Sequence, residues 1–276
     1  MPKRHSCHGR KYYKRCRRCH CQLKPKHPPV PKFSLIPFQG SLGSGIGQII
    51  GQFFEPGLFN FRDFRQARRI LAIAWAGGGG GNSIRPGFNF VGGGSSGLVY
   101  VEFDITENIE GIAGRVGIGG GGGFIRFIPG TDDFNVTPGE DGKLSDISIL
   151  YRPDGAPFRN VFGFTAFGGK STGEGGSWLA QAIQGPQGIN TPIPSIFQYG
   201  GENGNPNDNN NGGNAPSFGG YPGGKGGLGG EQFSKNGGAG QRPGGGGGGA
   251  SVVNQNIHFG NGGPGGNALV LFIRLA

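Results

Sequence analysis

The sequence predicts a mainly β fold: a glycine-rich β-domain with ordered polyglycine tracts, preceded by an extended basic arm and a short helix. Three observations predict it. Apolar residues are gathered into strand-length runs, "RILAIAW" (69–75), "LVYVEFDI" (98–105), "FIRFI" (124–128), "VFGFTAF" (161–167) and "ALVLFIRL" (268–275). Pure glycine tracts, Gly77–Gly81, Gly119–Gly123 and Gly244–Gly249, stand close beside Trp, Ile, Phe or Val rather than within serine-rich linker sequence. Charge and cysteine, finally, divide the chain into a tail and a body.

Residues 1–32 hold 11 of the 26 Lys and Arg and no acid, leaving 15 basic against 16 acidic residues in the rest. The formal charge of +10 therefore belongs to the tail, which is a basic arm on a near-neutral body. All four Cys and four of the five His also lie in that arm, so the body must fold by packing, without disulfides. Glycine and proline make up 84 of 276 residues, a share usual in disordered chains, yet 22 Phe and the clustered apolar runs argue for a core. No sustained G-X-Y period supports collagen. The basic start followed by more charge is unlike a signal peptide, and manufacture in a reducing compartment is expected.

Three divisions follow: the Cys/His- and Pro-rich arm (1–32), an uncharged connector with a short helix (33–68), and the glycine-rich β-domain (69–276). The proline-dense stretch "PKHPPVPKFSLIP" (25–37) predicts an extended spacer. In the uncharged stretch 33–54, Gly43, Gly47 and Gly51 repeat at the spacing used where membrane helices meet. Pro37, Gln39, Gln48 and Gln52 lower its hydropathy, so a docked connecting segment is expected rather than a membrane contact. "LFNFRDFRQARR" (58–69) sets Leu58, Phe61, Phe64 and Ile70 near helical spacing, which predicts the short helix. Beyond residue 69 strands alternate with glycine tracts, and "GENGNPNDNNNGGNAP" (201–216) predicts the longest and most mobile loop. The segment 124–200, richer in Phe, Pro and Ile, predicts an insertion with its own strands. The apolar C-terminal run predicts a last strand tied into the sheet.

What the glycines do decides the function. Gly117, Gly119 and Gly122 fit G-x-G-x-x-G, but a dinucleotide site needs a helix at the third glycine, and a β-like "FIRFIPG" follows instead. "FGFTAFGGKST" (162–172) has a Walker-like ending but carries Phe164 where the first glycine belongs. Slack linkers fit badly as well, because ordering glycine costs more backbone entropy than ordering any other residue. Five-residue tracts recurring in a core need compensation at about 1–2 kcal/mol per residue. Bare backbones can approach at distances that a Cβ forbids, as at the collagen axis, so stacked tracts can exchange hydrogen bonds directly.

The ordered series "RILAIAWAGGGGGNS", "GGGSSGLVYVEFDI", "IAGRVGIGGGGG", "PSFGGYPGGKGGLGGE", "GGAGQRPGGGGGGAS" and "GNGGPGGNALVLFIRLA" resembles the glycine-rich domain of phage tail fibres and related virion proteins over about residues 69–276. The resemblance implies a β-fold with packed polyglycine, located on a virus particle. It implies other virion proteins as partners and, in tail-tip members, loops that contact a host receptor. The arm has no counterpart there and suits anchorage in a capsid.

In the arm, Arg10, Lys11, Lys14, Arg15, Arg17 and Arg18, interleaved with Tyr12 and Tyr13, suit phosphate neutralisation with base stacking, or docking on an acidic protein surface. Cys7, Cys16, Cys19 and Cys21, with His8 and His20, suffice for a zinc tetrahedron, but only one C-x2-C pair occurs. Zinc and free or cross-linked thiols stay open, and no other cofactor is expected. No catalytic constellation stands out. The body has a single His, His258; Asp132, Asp133, Glu140 and Asp141 read as a solvated turn; and Asn207, Asn209, Asn211 and Gly212 lack the acids of a calcium loop. The expectation is a non-enzymatic virion structural protein, with viral nucleic acid and further copies of the chain as additional partners. The alternatives are a nucleic-acid-binding protein acting through the arm and a host-receptor adhesin acting through the loops.

Overall fold

A computed structural model describes residues 33–34, 47–83, 92–130, 134–152, 160–183, 210–218, 220–230, 236–250 and 260–275. Its strands are β1 (Phe33–Ser34), β2 (Gly47–Phe53), β3 (Gly57–Phe61), β4 (Arg69–Trp75), β5 (Leu98–Asp104), β6 (Ile109–Val116), β7 (Phe124–Phe127), β8 (Phe134–Thr137), β9 (Ser145–Tyr151), β10 (Asn160–Ala166), β11 (Trp178–Ile183) and β12 (Leu269–Leu275). They form two antiparallel five-stranded sheets, in the orders β1-β5-β4-β12-β2 and β11-β10-β9-β6-β3, plus the β7-β8 hairpin. The two large sheets make a sandwich, with Ile70, Val101, Phe103 and Phe272 of one packed in a single core with Phe59, Phe61, Ile149, Tyr151 and Phe164 of the other.

The first sheet is apolar on both faces. Leu71, Ile73 and Trp75 of β4 lie on its outer side under Phe218 and Tyr221, and Trp75 Nε1 donates to Pro216 O at 2.8 Å. That double burial is why β4 reads as an unbroken apolar run. β9 alternates buried and half-buried residues, as a strand covered on one side does.

The expected helix over 58–69 is not formed. Phe59 and Phe61 alternate inward along β3, with Phe61 stacked on Phe272, and only Asp63–Gln66 makes one 3-10 turn. The three-residue spacing of Leu58, Phe61 and Phe64 suggested a helix; the period-two pair Phe59 and Phe61 decides for a strand. The connector is woven into the sandwich, since β2 pairs with β12 and β3 with β6. The described part of 124–200 does carry strands of its own, β7 to β11, but β9 is the middle strand of the second sheet, between β6 and β10, so this segment is part of the sandwich.

Strands pass directly into glycine tracts, and these form the second half of the molecule. Along the 76–82 tract, Gly77 N and Gly80 N donate to Lys143 O and Glu140 O, at 3.0 and 2.9 Å. Gly78 N and Gly81 N donate to Gly266 O and Gly263 O, and Gly79 N to Gly94 O. On the acceptor side, Gly120 N and Gly123 N reach Gly78 O and Gly81 O; Gly247 N and Ala250 N reach Gly79 O and Asn82 O; Gly169 N reaches Gly77 O. Every third residue thus addresses the same neighbour, as in a helix with three residues per turn and no internal hydrogen bonds, and none of Gly77–Gly81 has a positive φ, which makes that helix left-handed. The neighbours, 139–143, 117–123, 261–267, 244–250, 92–97 and 168–170, also bond to one another in that order and close a hexagon.

The 244–250 tract is a second centre. Gly245 N and Gly248 N donate to Gln241 O and Gly238 O, and Gly246 N and Gly249 N to Gly213 O and Asn210 O. Its carbonyls accept from Ser96 and Gly93, from Gly266 and Gly263, and from Gly227 and Gly230. The bundle among the described residues is therefore two fused hexagons. Residues 210–215, expected within a mobile loop, are an ordered tract of the second hexagon.

The two halves fit because the core tapers. Read toward the bundle, the inward residues are Phe103, Val101 and Val99 on β5; Phe272, Val270 and Ala268 on β12; and Ile70, Ala72, Ala74 and Ala76 on β4. β10 likewise passes from Phe164 to Ala166, and β9 from Ile147 to Ser145. Sheets about 10 Å apart across large side chains converge as those side chains shrink, until their extensions bond directly. The 92–97, 76–82 and 261–267 tracts keep the order β5-β4-β12, and 168–170, 139–143 and 117–123 keep the order β10-β9-β6.

Position in the bundle dictates tolerance to side chains. A Cβ on Gly80 would lie 2.0 Å from Gly121 O, whereas one on Gly121 would meet only the Glu140 side chain, at 3.3 Å. Gly80→Ala is expected to lower stability by roughly 1–3 kcal/mol, and Gly121→Ala to change it by less than about 0.5 kcal/mol, in thermal or denaturant unfolding. At the taper, Ala74→Leu is expected to cost roughly 1–3 kcal/mol by forcing the sheets apart. Ile70→Val, at the wide end, should cost about 0.5–1.5 kcal/mol in the same assay.

Candidate functional site: the distal pole of the glycine bundle

The tract directions give the molecule two unlike poles. Ala250 N donates to Asn82 O at 3.0 Å, Gly249 N to Asn210 O at 2.8 Å, Gly230 N to Gly249 O at 2.9 Å, and Gly237 N to Asn261 O at 2.8 Å. Together with the bonds Gly123 N to Gly81 O and Gly262 N to Gly123 O, these place the tract ends 82, 123, 210, 230, 237, 250 and 261 on one side, away from the sandwich. The described residues on either side of 84–91, 231–235 and 251–259 lie at this distal pole, and the β7-β8 hairpin is attached there.

At the opposite pole Gly47 pairs with Leu275, and Phe33 with Phe103. The arm side of the chain therefore joins the fold at the end remote from the distal connections. Seven residues at 3.1 Å in the tract and seven at about 3.3 Å in β4 separate the poles by roughly 40 Å.

Polar side chains fasten the distal pole. Asn82 Nδ2 donates to Ser171 O at 2.8 Å, while Gly139 N donates to Asn82 Oδ1 at 2.9 Å. Ser171 N in turn donates to Asp141 Oδ1 at 2.8 Å. The Asn82 carboxamide thus extends the lattice bonding of its tract past the last glycine.

A cleft of about 770 Å³ opens where the second sheet enters the bundle, lined by Ile118, Lys143, Leu144, Phe167, Lys170 and neighbouring glycine backbone. Two of its charged side chains have bonding partners, Asp141 accepting from Ser171 N and Lys170 paired with Glu174. Lys170 Nζ donates to Glu174 at 2.6 Å, and that bond raises the lysine pKa above its usual value. Beside the cleft, burial pushes the Asp146 carboxyl up, partly offset by the Arg115 guanidinium and the Arg115 backbone N–H.

The motifs singled out in the sequence fall into place differently. Around G-x-G-x-x-G, Gly119 N donates to Asn267 Oδ1, Gly120 N to Gly78 O and Gly123 N to Gly81 O. In the Walker-like stretch, Gly169 N donates to Gly77 O. These amides bond within the bundle. Glu140 and Asp141 lie in a bundle tract, where the Glu140 carbonyl accepts from Gly80 N. The arm residues Arg10, Lys11, Tyr12, Tyr13, Lys14, Arg15, Arg17 and Arg18 lie outside the described residues, as do Cys7, Cys16, Cys19, Cys21, Asp132, Asp133, Asn207, Asn209 and His258. Among the described residues no three His, Cys, Asp or Glu gather to hold a metal, and no helix is long and apolar enough to cross a membrane. Residues 47–53 of the stretch 33–54 are strand β2.

Sequence reasoning missed the bundle-tying role of Asn82, Asn211, Asn214, Asn261 and Asn267. The signal was present in Asn211/Asn214 and in Asn261/Asn267, which stand at multiples of three residues with glycine pairs between.

A family model described as a glycine-rich domain matches residues 55–272, while no curated protein matches the chain. The match runs from the turn before β3 into β12 and takes in both hexagons. The chain belongs to this family of glycine-rich domains.

Proposed function

We propose that the protein is a non-enzymatic structural component of a virus particle, anchored through its basic arm and holding its connecting segments outward at the distal pole. The observation that carries this reading is the polarity of the fold. The arm side of the chain joins one pole, and the connections following Ser83, Gly230 and Ala250 leave from the other, roughly 40 Å away. A hydrogen-bonded bundle between them suits a stiff spacer. The order of glycine blocks, which resembles that of virion proteins, supports the location on a particle.

The arm's cluster of Arg10, Lys11, Lys14, Arg15, Arg17 and Arg18 suits attachment to nucleic acid or to an acidic inner surface. A second reading, favoured by the clustering of connections at one pole, is contact with a host receptor through those segments. In both readings the bundle is scaffold, and the chemistry lies at its ends.

Mass spectrometry of purified particles tests the proposal. The full chain is expected in the particle, and a chain lacking residues 1–24 is expected to be depleted from it. Replacing 251–259 with a glycine-serine segment should leave incorporation unchanged and should lower host attachment only if the second reading holds. Absence of the full chain from particles, or incorporation indifferent to the arm, would contradict the proposed anchorage.

A further inference from the structure

Asn211, Asn236 and Asn261 stand 25 residues apart, and each opens an Asn-Gly-Gly stretch that starts a bundle tract at the distal pole. The lattice requires both members of each Asn-Gly pair. A Cβ on Gly212, Gly237 or Gly262 would lie 1.9–2.1 Å from a carbonyl oxygen, that of Gly246, Gly248 or Gly81 in turn. The asparagine oxygens do the work of tract carbonyls. Asn211 Oδ1 accepts from Gly229 N at 2.7 Å, Asn236 Oδ1 from Asn261 N at 2.9 Å, and Asn261 Oδ1 from Ile125 N at 3.1 Å.

Asn-Gly is also the most reactive asparagine context in a polypeptide, since no Cβ shields the glycine nitrogen or hinders its backbone from turning. That nitrogen loses its proton and bonds to the asparagine Cγ, the Cγ–Nδ2 bond breaks, and ammonia leaves. Water then opens the succinimide ring at one of its two carbonyls. Attack at the side-chain carbonyl leaves aspartate. Attack at the main-chain carbonyl leaves isoaspartate, whose main chain runs through Cβ and Cγ and is one carbon longer.

In the bundle the attacking nitrogens are engaged elsewhere. Gly212 N donates to Gly227 O at 2.9 Å, Gly237 N to Asn261 O at 2.8 Å and Gly262 N to Gly123 O at 2.8 Å. Asn236 and Asn261 are exposed and Asn211 is half-buried, so water reaches all three, and bonding rather than burial withholds the reaction. The two products differ in consequence. Aspartate keeps an acceptor oxygen where Oδ1 stood. Isoaspartate puts an extra carbon into a tract whose bonding repeats every three residues, so the amides beyond it lose register with their carbonyls.

We propose that Asn211, Asn236 and Asn261 are latent deamidation sites, held unreacted by the closed bundle and converted only when their tracts open, and that isoaspartate formed there keeps the tract open. Each conversion also adds a negative charge at the distal pole.

The test ages the full-length wild-type chain in warm, mildly alkaline buffer beside synthetic peptides spanning 207–216, 232–241 and 257–266. Peptide mapping separates asparagine, aspartate and isoaspartate. The peptides are expected to convert, and the native chain to convert at least about tenfold more slowly at each site, the factor that an opening free energy of about 1.4 kcal/mol gives. A second sample of the chain is aged in urea, which opens every tract, and is then returned to buffer beside an unaged sample treated alike. Amide exchange along 212–216 should be fast in its molecules with isoaspartate at position 211, and as slow as in the unaged sample in those with aspartate there. If the chain does not refold, native chain aged until conversion is measurable supplies the same comparison. Conversion of the native chain at the peptide rate, or peptides that stay unconverted, would overturn the gating. Equal exchange in isoaspartate- and aspartate-bearing molecules would overturn the locking.

Discussion

The structure depends on one constraint: backbone amides and carbonyls of neighbouring glycine tracts bond where no Cβ intervenes. Around the first centre, Cβ atoms added to Gly77, Gly78, Gly80 and Gly81 would each fall 2.0–2.1 Å from a neighbour's carbonyl oxygen. No rotamer change relieves such a clash, because both partners are main chain. Fixing a residue costs about 1–2 kcal/mol, most for glycine, while a hydrogen bond returns only about 0.5–1.5 kcal/mol net. Bonding alone therefore leaves a glycine bundle near balance, and close packing with an external template must settle it. The sandwich is that template, since its strand order is the tract order.

The taper explains how such different halves share one chain. A β-sandwich needs side chains to fill the space between its sheets, and the bundle needs their absence. The step from Phe and Ile through Val and Ala to Gly, repeated on several strands, moves from one requirement to the other over about seven residues per strand. Ser145, buried at the junction, marks the crossover: its Oγ accepts from Gly117 N at 2.9 Å, as a backbone carbonyl does deeper in the bundle.

Much of this was legible in the sequence, and the failures have physical causes. β4, β5 and β12 read clearly because burial on both faces leaves them apolar over most of their length, with Arg69, Glu102, Asp104 and Arg274 only toward the end away from the bundle. β3 was misread as helix because Leu58, Phe61 and Phe64 imitate helical spacing, although Leu58 is 82% exposed and Phe59 is the residue that turns inward. Two of the three pure runs, Gly77–Gly81 and Gly244–Gly249, turned out to be lattice centres, the positions where every direction is occupied, while the third, Gly119–Gly123, is a neighbour of the first centre. Residues 210–216, the described part of the stretch 201–216, passed for a loop because their composition is that of turns, while their meaning lies in a period of three. Candidate residues of the arm carry their signal in charge and ligand type alone, which leaves nucleic acid, protein and metal undivided.

Residue-resolved amide hydrogen exchange in the folded chain is the most direct measurement of the central claim. The account predicts that Gly77–Gly81 and Gly245–Gly249, bonded on all sides, exchange as slowly as the amides of β4 and β12, near the limit set by global unfolding. Exchange at rates typical of exposed backbone throughout those two runs, while β4 and β12 stay protected, would contradict it.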